Sequence, residues 1–209
     1  MDKATVWDHT ITERYALLRH LETLTPAQWE AQSLCAAWRV RDVAGHVIGG
    51  PQLDWPAALR LFREFRRGYN GAIEHEGIRR GSVPIEQILE QFHEFAGVRK
   101  GPVVVTHLEP LIDAIVHTQD ILRPLGIEHS PDPEAAAVAA DRARFLAPLL
   151  GGLRHLRTMR LVATDCDWAR GRGEEVHAPM LELLMICTGR EPAHDRLRGG
   201  DAAGQPGPP

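Results

Sequence analysis

The spacing of apolar residues narrows the fold of this 209-residue chain more than any other feature: they recur every three to four positions in one stretch after another. "VRDVAGHVIGG" puts Val40, Val43, Ala44, Val47 and Ile48 on one stripe, the pattern of a helix with one face in a core. The same period runs through residues 8–24, 84–97 and 111–122, and through "SPDPEAAAVAADRARFLAPLLG". The breaks between these stretches carry punctuation. Thr25 can cap a helix that Pro26 opens, Arg123-Pro124 stops another, and Asp132-Pro133 starts the next. Ser82 stands near the cap of the 84–97 helix. "DWPAALRLFREFRR" reads as a continuation of the 40–48 helix past a kink at Gly49-Gly50-Pro51, and "GYNGAIEHEGIRRGS" as a glycine-rich connection. Five or six helices joined by modest loops make a helix bundle.

The last quarter changes period. "MRLVATD" alternates like a strand, and "WARGRGEEVHAP" supplies glycines and a second extended stretch, so residues 158–180 predict an antiparallel β-hairpin. "MLELLMICTG" follows as a short helix stopped by Gly189. The chain thus divides into a mainly α bundle (1–152), a small α+β extension (153–198) and a tail (199–209) too poor in apolar residues to order itself.

A formal net charge of −4 and a pI near 6.3 exclude a general nucleic-acid binder, which needs a basic surface. The basic run in "RLFREFRRG" is broken by Leu61, Phe62, Glu64 and Phe65, as on the wet flank of an amphipathic helix. Cys35, Cys166 and Cys187 are odd in number and far apart, so neither a disulfide framework nor a zinc ribbon is indicated. No leader-like segment opens the sequence and no apolar run could span a bilayer, which predicts a reduced, cytoplasmic protein.

Within "LIDAIVHTQDILRPLG", Asp113 and His117 stand four residues apart, one turn along the same helix face. A carboxylate and an imidazole so placed can hold one metal ion, with His46 of the 40–48 helix as third ligand and positions left open for water or substrate. Two alternatives compete with this reading. Asp113, His117 and Asp120 lie opposite the Leu111–Ile115–Leu122 stripe and could simply face water. Asp120, one turn beyond His117, could replace Asp113 as ligand or instead orient a ligating histidine. His75, His93 and His107 could each substitute for one ligand, but none has a more persuasive carboxylate or histidine partner four residues away. No phosphate-binding glycine loop follows a strand, and no nucleophile elbow is present.

"LCAAWRVRDVAGHV" resembles the Cys-x-x-Trp-x-x-x-Asp-x-x-x-His stretch of the mycothiol-dependent maleylpyruvate isomerase family, a branch of the DinB-like metal-binding bundles. "LIDAIVHTQDILRPLG" is similar to that family's second signature, and "RLVATDCDWARGRGEEVHAP" with "LLMICTGR" to its closing segment. The resemblance implies a DinB-like four-helix bundle with a divalent metal, usually zinc, on His46, Asp113 and His117, with Asp120 beside the site. Asp113 stands where the family has glutamate, and Arg39 where a capping threonine is common; Cys35, Trp38 and Asp42 read as structural. Arg157, Arg160, Arg170 and Arg172 are the C-terminal cations, and none aligns with the isomerase's catalytic arginine.

The activity implied is that of a mycothiol-dependent transferase or isomerase, in which a metal-bound thiolate attacks a small electrophile. A non-catalytic metal- or ligand-binding bundle and a hydrolase using metal-bound water are the other readings. The partners implied are a low-molecular-weight thiol and a small electrophile, with no nucleic acid or membrane, and the protein as monomer or homodimer.

Overall fold

A computed structural model describes residues 1–53, 55, 56, 59, 68–102, 105–150, 152, 156–192 and 197. The chain forms two compact units, Met1–Pro131 and Asp132–Pro209. The sequence reading places this division after residue 152, so the helix at 133–150 falls on the other side of it. The tail at 199–209 and most of "DWPAALRLFREFRR" lie outside the described residues.

The first unit is helical. α1 (Lys3–Leu21) begins where the Asp2 carboxylate accepts from the backbone N–H of Thr5 at 2.8 Å. α2 (Pro26–Trp29) opens with the expected Thr25 cap, completed by Gln28 reaching back to the Thr25 N–H at 2.9 Å. α3 (Val40–Gly49) buries the whole predicted stripe, from Val40 to Ile48. Arg39 does not cap it; the Asp42 carboxylate instead accepts the Arg39 N–H at 3.0 Å and its guanidinium at 3.0 and 3.1 Å. α4 (Tyr69–Gly81), α5 (Ile85–Phe95) and α6 (Glu109–Leu122) complete the unit.

α1 and α3 each pack against both α5 and α6, closing a four-helix ring, and α4 lies along the outside of α3. Leu17, Leu21, Trp29, Val43, Phe92 and Ile121 meet in its core. Each such side chain contributes roughly 1.5–3 kcal/mol by leaving water.

α4 corrects the reading of residues 69–81 as a connection. Its glycines mark close packing rather than a turn. A Cβ on Gly77 would lie 2.6 Å from the Trp38 indole, and one on Gly81 2.5 Å from the Asp42 Cα. Ser82 also departs from expectation: its hydroxyl donates to Ile78 O at the end of α4, and α5 starts at Pro84 without a side-chain cap.

The second unit holds α7 (Pro133–Leu150), a small sheet and α8 (Met180–Cys187). Asp132 starts α7 as expected, accepting from the Ala135 N–H at 2.9 Å. α8 is buried from end to end, against α7 and the sheet. Arg170 forms a two-bond fork with Asp141, and Arg160 pairs with Glu175, so both of these C-terminal cations have acidic partners.

The predicted hairpin is present, but as part of a larger sheet. β1 (Met159–Ala163) pairs antiparallel with β2 (Ala169–Gly171) and parallel with β3 (Glu174–Ala178), giving the order β2-β1-β3. The chain passes beneath the start of β1 within a few residues, which demands the glycines of "GRG". Gly171 and Gly173 have φ of 95° and 119°, and a Cβ on Gly173 would lie 2.1 Å from Thr158 O. No helix among the described residues is long and apolar enough to cross a membrane.

Two glycine substitutions separate backbone strain from steric exclusion. Gly126, at φ 69°, has open space around its missing Cβ. Gly126→Ala should cost about 1–2 kcal/mol in chemical denaturation, the penalty of the left-handed region alone. Gly173→Ala should cost about 3 kcal/mol or more, because the Thr158 carbonyl must also move. Equal losses would show that the crossover tolerates a side chain.

Candidate metal centre

α6 is buried on nearly every side, and this decides between the two readings of its polar residues. From Pro110 to Leu122 only Asp113 keeps appreciable exposure, while His117 is 9% exposed and Asp120 0%. The helix sits between α1 and α3, so the face opposite the Leu111–Ile115–Leu122 stripe meets protein rather than water. Its polar groups are satisfied there. Thr118 donates to Ala114 O at 2.7 Å, and Gln119 donates to His129 O at 3.0 Å while accepting from Arg123.

His46 approaches from α3. Its ring meets that of His117 edge-on, with centroids 5.0 Å apart, and the Trp38 indole lies against both rings at 4.9 and 5.9 Å. The Trp38 N–H is taken by Glu74 O at 3.1 Å, so its apolar face is the one presented to the imidazoles. His46, Asp113 and His117 each bring one ligating atom to within 4.8 Å of the others. Among the described residues, His75, His93 and His107 join no such group; His93 instead pairs with Glu22 at the surface.

The two imidazoles are driven to opposite protonation states. Burial, reinforced by nearby His117 and Arg80, pushes His46 down to about 3, so it is neutral and offers a lone pair. Burial also opposes the charged form of His117, but the hydrogen bond to Asp120 and the neighbouring Cys35 outweigh it and push His117 up to about 10. The Nδ1–H of His117 donates to Asp120 Oδ2 at 2.8 Å. That bond leaves Nε2 as the nitrogen free to ligate, the arrangement in which a carboxylate fixes the ring and tautomer of a metal-binding histidine.

Cys35 and Arg14 complete the surroundings, and sequence reasoning assigned neither to the site. Cys35 Sγ donates to Asp120 Oδ2 at 3.2 Å and lies 4.0 Å from His117 Nδ1. Its loop is pinned: Leu34 N–H donates to Asp120 O at 3.0 Å, Cys35 N–H to Ser33 Oγ at 3.1 Å, and Gln32 to Cys35 O at 2.9 Å. Arg14 of α1 is 2% exposed, donates to Val98 O at 3.0 Å, and sets its charge against Asp113. Burial lowers its pKa to about 10, within the range where it stays charged at neutral pH. The Cys-x-x-Trp spacing was the available signal for Cys35 and Trp38. Nothing in the local sequence singles out Arg14.

Residues 12–79 match the family model described as the mycothiol maleylpyruvate isomerase N-terminal domain. The match spans about a third of the chain. The matched stretch contains Cys35, Trp38 and His46 but ends before Asp113 and His117. Two solved structures are similar along the whole chain. The crystal structure of the mycothiol-dependent maleylpyruvate isomerase is 13% identical, with a TM-score of 0.63, covering 100% of this chain and 97% of that one. A histidine-to-alanine mutant of that isomerase gives 13% identity, a TM-score of 0.60 and the same coverage. At this identity the likeness is one of fold. No curated protein matches the chain.

The combined contribution of these two histidines to the stability of the metal-free protein should be greatest near pH 6.5, the ordinary histidine value. His46 is depressed, so its contribution is complete above 6.5 and is lost as pH falls toward about 3. His117 is raised, so its contribution is complete below 6.5 and is lost as pH rises toward about 10. Asp120→Asn should flatten the alkaline limb, by on the order of a few kcal/mol between pH 6 and 10, when followed by denaturant unfolding. An unchanged limb would mean that Asp120 does not hold the His117 proton.

Proposed function

We propose that the chain is a metal-dependent thiol transferase or isomerase of the mycothiol type, acting on a small electrophile. The observation that carries this reading is the convergence of His46, Asp113 and His117 from two helices, in a chain whose residues 12–79 match the model of the mycothiol maleylpyruvate isomerase N-terminal domain. The donor set fits a borderline cation such as zinc: two imidazoles and one carboxylate, one fewer than the four protein ligands of a structural zinc site. When bound, such an ion lowers the pKa of a coordinated thiol so that it reacts as a thiolate near neutral pH.

The chain's own residues have separable parts in this scheme. His46 offers a neutral nitrogen because burial keeps it unprotonated. Asp120 accepts the Nδ1–H of His117 and so leaves Nε2 as the nitrogen available to a metal. Asp113 contributes the negative charge, and the cation of Arg14 beside it favours the ionised carboxylate. Trp38 walls the imidazoles with an apolar face, which limits water and strengthens electrostatic interactions there.

Metal-depleted protein reloaded with zinc should take up one equivalent. It should consume mycothiol in the presence of maleylpyruvate or an alkylating electrophile. His46→Ala and His117→Ala should lose stoichiometric zinc and lower turnover more than about 100-fold, and Asp120→Asn should weaken zinc roughly 10–100-fold. Zinc uptake at neutral pH should release about one proton, from His117, seen in calorimetry across buffers of different ionisation enthalpy. Full metal content in both histidine variants would overturn the ligand assignment. Electrophile turnover in water alone, without thiol, would point to a hydrolase.

A further inference from the structure

A second group of donors lies on the other edge of the His117 ring. Cys35 Sγ, His117 Nδ1 and Asp120 Oδ2 are separated by 4.0, 3.2 and 2.8 Å, and each lies within 4.8 Å of the others. A cation bonded to sulfur at about 2.3 Å, nitrogen at about 2.0–2.1 Å and oxygen at about 2.0–2.2 Å would hold its donors some 3–4 Å apart, so only small movements are needed. The group is also held in place. Asp120 is fully buried, and the Cys35 loop is fastened to α6 through Leu34 N–H and Asp120 O and internally through Ser33 and Gln32. Cys35 is only partly buried, which leaves a path for entry.

The geometry points to Cys35, His117 and Asp120 as a thiolate-containing site for a soft divalent cation such as cadmium, sharing only His117 with the His46–Asp113–His117 group. The chemistry distinguishes the two groups. Thiolate sulfur selects softer ions than the nitrogen and oxygen donors of the first group. A thiolate and a carboxylate together neutralise a divalent charge, whereas Asp113 alone leaves one positive charge uncompensated. Binding releases the protons on Cys35 Sγ and His117 Nδ1 to the buffer, with no change in oxidation state. The ring then keeps its proton on Nε2 and cannot ligate through that atom, so filling the soft site withdraws His117 from the first group.

The test is cadmium titration of the full-length, metal-free protein kept reduced with a phosphine, following thiolate-to-cadmium charge-transfer absorption in the ultraviolet. One equivalent should develop the band. Cys35→Ser should abolish it, although Cys166 and Cys187 remain. Asp120→Asn should weaken cadmium binding about tenfold or more, which covers the case of a misfolded serine variant. His46→Ala and Asp113→Asn should keep the band, because neither residue belongs to this group. No band in the unaltered protein, a band that survives Cys35→Ser, or loss of the band in His46→Ala would each overturn the proposal. Zinc stoichiometry in His46→Ala is read separately, so failure of the first site does not count against the second.

Discussion

Two histidines on different helices, His46 and His117, meet inside a helical bundle with their ring centroids 5.0 Å apart. Burying polar rings is costly, and the first unit offsets that cost for His117 with a hydrogen bond and covers both rings with an apolar wall. Asp120 takes the Nδ1 proton of His117, and Trp38 covers both rings. The tryptophan can lie there because α4 places glycine, with no Cβ, against its indole at position 77. α4 is therefore tied to the imidazole pair both through Trp38 and through its packing on α3, which carries His46.

The loop from Ala31 to Arg39 is the second consequence of that pair. It contains no regular element apart from an isolated bridge between Gln32 and Arg39, yet it is bonded repeatedly to itself. Ser33 Oγ donates to Trp38 O at 2.7 Å, and Gln32 reaches Trp38 O at 2.8 Å. These bonds set the direction of Trp38 at one end and Cys35 in the middle. One short loop thereby fixes the apolar wall and the sulfur, and its single backbone bond to α6 through Asp120 O keeps both in register with His117. Donors separated by more than eighty residues in the chain stay within a few ångströms of one another because the loop is anchored at the residue that orients the histidine.

What was legible in the sequence follows from the range of each signal. The α3 stripe and the Thr25-Pro26 and Asp132-Pro133 starts are local, and the structure matches them. The glycine content of residues 69–81 is also local but carries two opposite meanings, turn or close approach, and only the positions of Trp38 and Asp42 decide for helix. The helical wheel for α6 misled in a similar way. It assumes one wet face, whereas a helix flanked by both α1 and α3 has none over most of its length. Asp113 and His117 were visible as a pair by spacing. His46 and Cys35 stood in a recognisable stretch, but their approach to α6, and that of Arg14, are long-range contacts that spacing alone does not fix. The parallel pairing of β3 on β1 belongs to the same class, since alternation identifies strands but not their neighbours.

Charge balance links the chemistry of the two donor groups to their burial. The His46–Asp113–His117 group brings one negative charge, and a divalent cation held there keeps a positive excess that only an incoming anion can offset. Beside the apolar Trp38 ring, such an excess would favour a thiolate over a neutral thiol or water. The Cys35–His117–Asp120 group brings two negative charges and leaves no such excess, so an ion there has little electrostatic reason to recruit an anionic substrate. His117 belongs to both groups, and its Nδ1–H, donated to Asp120, leaves Nε2 as the nitrogen for the first. The same hydrogen bond that offsets the burial of His117 therefore also selects which of its two nitrogens is left to a metal.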